Sequence, residues 1–292
     1  MRLALIGTGL IGASAAWAMK QNGVVDSVAA YDLTFENARK AVEMGIADEA
    51  ARSIAECAAG ADCVLAAVPV MAIESVLAEV APHLSDTTFV SDAGSVRGVV
   101  IEGARRALGD KFPNYAPVHP IAGGEMPGVE YADSKLFAGA NAVSTPLAET
   151  SEHALAFWEE AWRRIGSKVV RMMPEEHDAV FASVSHLPHL LSFAMVDSVL
   201  NSGQAERKLS FAGAGFRDFT RIAASSPQMW IDILRGNKKA VLEALSYFEK
   251  DLAVLRKAIE EDDIEVESAL FTRAAQARRR LSASLPKPKT RG

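Results

Sequence analysis

Three glycines near the N-terminus constrain the fold of this chain more than any other feature of its sequence. Gly7, Gly9 and Gly12 fall where the apolar run LALIG, a predicted strand, passes into TGLIGASAAWAMKQNG, a predicted helix that ends at Gly23. In a G-x-G-x-x-G spacing the first glycine permits a tight turn, the second lets backbone approach a pyrophosphate and the third lets helix and strand pack closely. The spacing therefore predicts a dinucleotide-binding unit with the phosphates at the helix N-terminus.

An acid stands at the end of the second predicted strand, SVAAYD, twenty residues after Gly12. A carboxylate here can accept hydrogen bonds from a ribose diol and repels a 2′-phosphate, and no arginine follows before Arg39. Asp32 therefore favours NAD over NADP, although a solvated acid at a strand end is the alternative. The residues expected to contact the cofactor are Gly7, Gly9, Leu10, Ile11, Gly12, Asp32, Val68 and Pro69.

Composition and charge narrow the class of protein. The uncharged stretch 3–19 after Arg2 resembles a secretory signal, but its glycines favour the strand-helix interpretation, and no other stretch is a candidate membrane span. Cys57 and Cys63 have neither metal nor redox spacing, which fits a reducing cytoplasm. A formal net charge of -6 argues against a nucleic-acid binder. We therefore expect a cytoplasmic protein with a small-molecule ligand and with neither a membrane nor a nucleic acid as partner.

Further apolar runs at strand spacing extend the first half of the chain, at 63–70, 87–94, 114–120, 141–146 and 168–172. From Pro174 onward helical periodicity replaces this pattern. The sequence predicts an α/β chain with an N-terminal Rossmann-type doubly wound sheet in residues 1–172. An all-α domain follows in residues 173–292, with a disordered tail from about residue 284.

The longest predicted helix carries an apolar stripe, formed by Leu242, Leu245, Phe248, Leu252 and Leu255. A stripe of this length favours burial against a second copy of the chain. We therefore expect a homodimer that forms through the helical domain. The alternative is a monomer whose helices fold back onto the sheet domain.

Three of the six histidines, His177, His186 and His189, fall within one predicted helical stretch. On an ideal helix His186 and His189 lie about 60° apart on one face. Pro188 removes a backbone hydrogen bond and kinks the helix there. A zinc site would need further ligands on that face, and the stretch contains neither H-E-x-x-H nor a nearby cysteine. We expect no metal.

Polar side chains follow two of the predicted strands at the edge where such sheets bind ligands. DAGSVRG contains Ser95, and HPIAGGEMPG contains His119 and Glu125. Taken alone, Ser95 fits the N-cap of the helix VRGVVIEGARRAL, and His119 fits an ordinary loop histidine. Their joint position at the cofactor edge favours functional roles.

Five sequence blocks together resemble one enzyme family: GTGLIGAS, DAGSVRG, HPIAGGE, EHDAVFASVSHLPHLLSFA and GFRDFTRIAASSPQMW. Over about residues 1–260 the chain resembles the prephenate/arogenate dehydrogenases of tyrosine biosynthesis. The resemblance implies NAD-dependent oxidative decarboxylation of prephenate to 4-hydroxyphenylpyruvate. Arogenate is the alternative substrate, in an arogenate-specific or a dual-specificity cyclohexadienyl dehydrogenase.

The resemblance also implies roles for individual side chains. His119 accepts the proton of the substrate hydroxyl, a task that suits an imidazole, and Ser95 hydrogen-bonds to the same hydroxyl. Arg221 anchors a substrate carboxylate with Arg217 assisting, because a guanidinium fork binds carboxylates bidentately. The other implied pocket residues are Trp230 as a wall of the ring site, Glu125 as an acid that pairs with Arg221 and gates entry, and His177 and His189 near the ligand. His186 is then expected to be structural.

The chain departs from the family pattern at Gly124, where many members carry threonine or another larger residue, and at Met126 and Pro127. These departures leave the choice between prephenate and arogenate open. Two other classes also stay open. A β-hydroxyacid or imine-type dehydrogenase usually places a catalytic lysine on the first long helix, and no lysine occurs between Lys168 and Lys208. A dinucleotide-sensing regulator without catalysis would not need His119, Ser95 and Arg221 together.

Overall fold

The computed structural model describes residues 1–124 and 126–284. Its main sheet is five-stranded and parallel, in the order β3-β2-β1-β4-β5. The strands are β1 (Arg2–Ile6), β2 (Ser27–Tyr31), β3 (Glu49–Ala50), β4 (Cys63–Ala66) and β5 (Phe89–Asp92). The helices that follow them are α1 (Leu10–Gln21), α2 (Phe35–Glu43), α3 (Ile54–Ala58), α4 (Ile73–Val80) and α5 (Gly98–Leu108). Because β2 and β4 lie on opposite sides of β1, the carboxyl ends of these strands border the crevice where doubly wound sheets bind ligands.

The last three strands form a second, smaller sheet, which the sequence pattern did not distinguish from the first. Strand β6 (Val118–Pro120) is antiparallel to β7 (Asn141–Ser144), and β8 (Lys168–Arg171) is parallel to β7. The link between β7 and β8 contains helix α6 (Glu152–Arg164), the crossover that parallel strands need. The link between β6 and β7 contains only a single 3₁₀ turn in its described part, and that pair is antiparallel.

Both faces of the main sheet are buried, as a parallel sheet between helices requires. Along β1, Leu3 and Leu5 belong to one core and Ala4 and Ile6 to the other, because successive side chains of a strand alternate. Trp158 of α6 is fully buried in the first of these cores. The doubly wound α/β fold predicted from the sequence is confirmed.

Helices follow β8 to the end of the described chain, where no further strand occurs, as predicted. They are α7 (Pro174–Phe181), a π-helical turn (Ala182–His186), α8 (Leu187–Asn201), α9 (Ala205–Ser210), α10 (Ala214–Thr220), a 3₁₀ turn (Arg221–Ala224), α11 (Pro227–Gly236), α12 (Lys238–Glu260) and α13 (Ile264–Ser284). The irregularity expected at Pro188 takes the form of the π turn, which is closed by a hydrogen bond from Leu187 N–H to Ala182 O. Pro188 itself stands in the first turn of α8, where a missing N–H costs least.

Two compact units emerge from the contacts within the chain, Met1–Val241 and Leu242–Gly292. In the first unit, α7 and α11 both pack against α5. In the second unit, several large apolar side chains are exposed, among them Leu242 (51%) and Leu252 (52%). The domain boundary predicted at residue 172 stays a prediction. The predicted disordered tail falls almost wholly outside the described residues.

One helical run, Pro174–Asn201, is long and apolar enough to cross a membrane when judged by length and composition alone. The sequence pattern predicted no candidate membrane span in this part of the chain. A single helix of this kind is weak evidence for a span, because core helices meet the same criterion. The run is also interrupted by the π turn and carries His177, whose side chain is fully buried.

We expect Gly12→Ala to lower the melting temperature by several degrees. A Cβ at Gly12 would lie 2.2 Å from the carbonyl oxygen of Gly7 and 2.8 Å from the Cβ of Ala67. Overpacking of this kind typically costs about 1–3 kcal/mol of unfolding free energy. The matched control is Gly9→Ala, since a Cβ at Gly9 would meet no atom within 4 Å. Equal melting temperatures for the two variants by circular dichroism would contradict this packing.

Candidate active site

The glycine turn leaves part of its backbone open to a ligand. Gly7 has φ +96°, and a Cβ there would lie 2.4 Å from the carbonyl oxygen of Ala67. A Cβ at Gly9, in contrast, would extend into open space. Helix α1 begins at Leu10 with no side-chain cap and no acid in its first turn, so its N-terminus is available to a phosphate. The turn therefore fits the pyrophosphate of a dinucleotide.

Asp32 is held beside the glycine turn rather than solvated at a strand end. Its Oδ2 accepts hydrogen bonds from Thr8 N and Thr8 Oγ1, both at 2.9 Å. Its Oδ1 accepts from Thr34 N at 3.0 Å and from Asn37 Nδ2 at 3.1 Å. These bonds fix a negative charge at the end of β2, where it can meet a ribose diol.

The other residues expected to contact the cofactor lie around the same turn. Leu10 and Ile11 open α1 and are partly exposed. Val68 and Pro69 lie in the turn after β4, and Val68 Cγ1 lies 3.0 Å from the position of a Cβ on Gly7. The structure thus brings all eight predicted cofactor residues to the carboxyl ends of β1, β2 and β4.

The loop after β6 lies against the start of α1. A Cβ at Gly124 would lie 3.0 Å from Leu10 Cδ2, its only neighbour within 4 Å among the described residues. This contact places the loop that follows His119 beside the glycine turn. Glu125, the predicted gating acid, lies outside the described residues.

His119 begins a chain of three hydrogen-bonded side chains. The residue is partly buried, and its Nδ1 lies 2.8 Å from Nε2 of His177. The Nδ1 of His177 lies 2.9 Å from Oδ1 of Asp178. His177 is fully buried and packs against Phe181, with ring centroids 4.4 Å apart. His177 therefore lies behind His119 rather than at an open surface.

Both imidazoles of this chain are neutral at neutral pH. Burial lowers the pKa of His119 well below its usual range, and the neighbouring His177 and the Arg97 guanidinium lower it further. Burial also lowers the pKa of His177, although its hydrogen bond with Asp178 opposes this. A neutral histidine at the edge of the sheet can accept a proton.

Asp178 joins this chain to the start of α5. Its Oδ1 accepts a hydrogen bond from Arg97 N and its Oδ2 accepts one from Gly98 N, both at 2.8 Å. Ser95 does not cap this helix, because the helix begins only at Gly98 and an acid from α7 takes the capping place. Ser95 is half-buried in the loop between β5 and α5, and its hydroxyl has no hydrogen-bond partner in the described part of the chain.

A buried ion pair lies beneath the same loop. Arg97 is fully buried and donates to both carboxylate oxygens of Asp92, at 2.6 Å and 3.1 Å, and to Gly94 O at 2.5 Å. The hydroxyl of Tyr115 donates to Asp92 Oδ2 at 2.5 Å. Sequence reasoning missed this network and the role of Asp178. An acid that ends an apolar strand, five residues before an arginine, is the signal that could have indicated it.

His189 and Trp230 form a second polar-aromatic group. Their rings are stacked, with centroids 3.6 Å apart and planes at 20°. His189 Nδ1 donates to Ser185 O at 2.9 Å, which leaves Nε2 as an acceptor in the neutral ring. His186, expected to be structural, is buried and receives a hydrogen bond at Nδ1 from Asn237 Nδ2 at 3.1 Å. Burial lowers the pKa of His186 to about 4, so this ring too is neutral.

The two predicted carboxylate-binding arginines are exposed. Arg217 lies on α10, and Arg221 opens the 3₁₀ turn that follows. Burial lowers the pKa of His189, and the positive charge of Arg221 lowers it further. The charge of Arg221 is therefore felt at His189, which stacks on Trp230, whereas no described contact joins Arg217 to either ring. Among residues 1–124 and 126–284, no three histidine, cysteine or acidic side chains form a group that could hold a metal ion.

Comparisons with known proteins agree with this geometry. A family model for the nucleotide-binding domain of prephenate dehydrogenase matches residues 15–171, and one for the prephenate dehydrogenase dimerization domain matches residues 173–273. A cyclohexadienyl dehydrogenase from Zymomonas mobilis is 35% identical over 280 residues, which cover 94% of each chain. A prephenate dehydrogenase from Bacillus subtilis is 33% identical over 263 residues, covering 89% of this chain and 71% of that protein.

Solved structures show the same likeness. The prephenate dehydrogenase from Aquifex aeolicus in complex with hydroxyphenyl propionate and NAD⁺ superposes with a TM-score of 0.89 at 35% identity, covering 96% of this chain and 98% of that one. The Synechocystis arogenate dehydrogenase superposes with a TM-score of 0.81 at 26% identity, covering 96% and 100%. The chain therefore belongs to the prephenate dehydrogenase family and is an NAD-dependent dehydrogenase.

Proposed function

We propose that the protein oxidises prephenate with NAD and releases carbon dioxide, which yields 4-hydroxyphenylpyruvate. The observation that carries the proposal is the position of His119, a neutral histidine on β6, whose following loop packs against the glycine turn. Prephenate is a cyclohexadienol with a ring carboxylate and a pyruvyl carboxylate. Its oxidation needs a proton acceptor beside the cofactor and a cation for the carboxylates.

In this proposal His119 takes the proton of the substrate hydroxyl as hydride leaves the carbinol carbon. Bound NAD would supply the hydride acceptor. When the ring carboxylate leaves as carbon dioxide, its electron pair makes the ring aromatic and the ring oxygen becomes a phenolate. The phenolate takes the proton back from His119, so the reaction releases no net proton. Ser95, on the neighbouring loop, would hydrogen-bond to the same hydroxyl.

Arg221 is the proposed anchor for a substrate carboxylate, with Arg217 assisting. The effect of its charge on His189, which stacks on Trp230, supports this role, because a ring site walled by Trp230 would then have a cation within electrostatic reach. His189 has an acceptor nitrogen available to a ligand. We propose that His177 acts through His119 rather than by direct contact, since it is fully buried.

Arogenate is the second candidate substrate, and the loop after β6 favours keeping it. The two substrates differ by a keto or an amino group on the side chain. Gly124 carries no side chain, and a Cβ there would meet only Leu10 within 4 Å among the described residues other than its chain neighbours. Initial rates with NAD and either prephenate or arogenate test the choice. A kcat/KM for prephenate at least tenfold above that for arogenate is expected, and the reverse ratio would overturn the proposal.

We further propose a homodimer that forms through the helical domain at residues 173–292. The family description of residues 173–273 as a dimerization domain supports it. Exposed apolar side chains support it as well, among them Phe211 (81%) and Phe271 (53%).

A cytoplasmic location is also proposed. Cys57 and Cys63 are buried free thiols, and burial raises the pKa of each to about 12.

Asp32→Ser should shift cofactor preference toward NADP. The substitution removes the fixed negative charge that repels a 2′-phosphate at the end of β2. We expect the ratio of the NADP to the NAD dissociation constant to fall about tenfold or more, roughly 1.4 kcal/mol. Glu43→Gln on α2 is the control, because it removes the same charge from an exposed site. An unchanged ratio in Asp32→Ser, measured by cofactor fluorescence titration, would remove Asp32 from the ribose site.

His119→Asn should lower kcat by about 10²–10⁴-fold, the range for loss of an acid-base group, while NAD still binds. In the wild type the base must be unprotonated. Because its pKa is lowered, kcat/KM should be flat near neutral pH and fall only as pH drops well below 6.5. His153→Asn, an exposed histidine on α6, is the control and should leave kcat unchanged. Near-normal turnover in His119→Asn would place the base elsewhere.

Arg221→Ala should raise the KM for prephenate by roughly 10- to 100-fold, at about 1.4 kcal/mol per tenfold. The dissociation constant of NAD should hardly change, since Arg221 is grouped with Trp230 and His189 rather than with the glycine turn. Arg235→Ala, an exposed arginine on α11, serves as the control for loss of one positive charge. If KM stays within twofold of wild type and the circular dichroism spectrum is unchanged, Arg221 is a surface residue.

A further inference from the structure

We propose that Asp178 is a positioning residue for the reaction. Through His177 its carboxylate fixes the tautomer in which His119 presents an unprotonated Nε2 to the substrate. The same carboxylate holds the start of α5, and with it the loop that carries Ser95. The inference rests on the proposed role of His119 as the base, and it adds what determines which nitrogen of that base carries the proton.

The order of donors and acceptors follows from the ionised carboxylate. Burial raises the pKa of Asp178, but hydrogen bonds from His177, Arg97 N and Gly98 N outweigh burial and hold that pKa below its usual range. An ionised carboxylate only accepts, so Nδ1 of His177 must carry the proton that bridges the 2.9 Å to Asp178. A neutral His177 then has a bare Nε2, which can only accept from Nδ1 of His119, 2.8 Å away. A neutral His119 with its proton on Nδ1 has its lone pair on Nε2.

The surrounding charges do not compete for this arrangement. The Arg97 guanidinium lies nearby but is engaged by both oxygens of Asp92 and by Gly94 O. His186, on the π turn, is neutral because burial lowers its pKa to about 4. Asn237 donates its amide to the backbone oxygen of Asp178 and to His186, not to the carboxylate. The side chain of Asp178 is therefore left to His177 and to the start of α5.

The second task of Asp178 is structural and ties two loops together. Helix α5 has no cap of its own, and the carboxylate from α7 accepts its first N–H groups and faces its positive end. Gly98 permits this approach, since a Cβ there would lie only 3.2 Å from Asp178 Oδ2. One side chain thus sets the position of the Ser95 loop relative to the histidine chain.

A role confined to capping α5 predicts a loss of stability rather than a change in the tautomer of His119, so the test must separate the two tasks. Asp178→Asn keeps the size of the side chain and replaces one acceptor by a donor. An amide NH₂ turned to His177 would reverse the tautomers and put a proton on Nε2 of His119. We expect kcat to fall by about 10²-fold or more, with NAD affinity within twofold. In serine proteases the same change behind the catalytic histidine lowers kcat by about 10⁴-fold.

A double-mutant cycle distinguishes a tautomer effect from the loss of a cap. In a His177→Leu background the hydrogen-bonded link from Asp178 to His119 is absent, so Asp178→Asn should change kcat by less than about threefold. A role confined to capping predicts the same fold loss in both backgrounds, and that result would overturn the proposal. The control for loss of a cap is Ser151→Ala, whose hydroxyl accepts from Ala154 N at the start of α6. It should lower the melting temperature by a few degrees and leave kcat unchanged.

A direct measurement on the wild type keeps the proposal testable if Asp178→Asn does not fold. Long-range ¹H–¹⁵N correlation of protein labelled with ¹⁵N-histidine reports which ring nitrogen is protonated, and the His119→Asn spectrum assigns the signals. A proton on Nδ1 of His119 is expected, and a proton on Nε2 would overturn the inference. If His119→Asn retains turnover, the proposed base is wrong. If it loses turnover but the tautomer or the cycle disagrees, only the role of Asp178 fails.

Discussion

The buried carboxylate of Asp178 is the interaction on which the candidate site depends most. It accepts hydrogen bonds from His177 on α7 and from the backbone N–H groups of Arg97 and Gly98 at the start of α5. Through His177 it is also linked to His119 on β6. A buried charge is tolerated only where every acceptor position is used. Movement of any one partner would leave the carboxylate undersatisfied, so the partners are held in place together. The helical run that carries Asp178 and the edge of the sheet therefore act as one site.

Local patterns predicted the elements of this fold well because each depends on neighbouring residues. The glycine turn, the strands of the main sheet and the helical second half follow from spacing and periodicity. The pairing of β6, β7 and β8 into a separate sheet did not follow, since an apolar run specifies a strand but not its partner. The contact between Asp178 and α5 spans about 80 residues of chain, and no local pattern marks it.

The site residues divide in the same way. Asp32 and the glycines could be placed because their motif is contiguous, and His119 could be placed because it ends a strand at the ligand edge. Ser95 taken alone also fits a cap of α5, because a hydroxyl near a helix start resembles a cap whichever side chain occupies that place. The stacked His189 and Trp230 come from helices that meet only in the folded chain. Periodicity shows that each helix has an apolar face, not which faces meet.

The candidate site contains buried charges, which are paired with each other, and exposed charges, which a ligand could reach. Arg97 and Asp92 are fully buried and paired with each other, so the positions of their charges are fixed. The histidines next to them are neutral, because burial makes a further positive charge unfavourable. Under the proposed function, a neutral His119 can receive a proton that a histidinium could not. In the proposed reaction the charge that attracts a dianionic substrate would come from outside this buried group, and the exposed Arg221 is the side chain proposed for it.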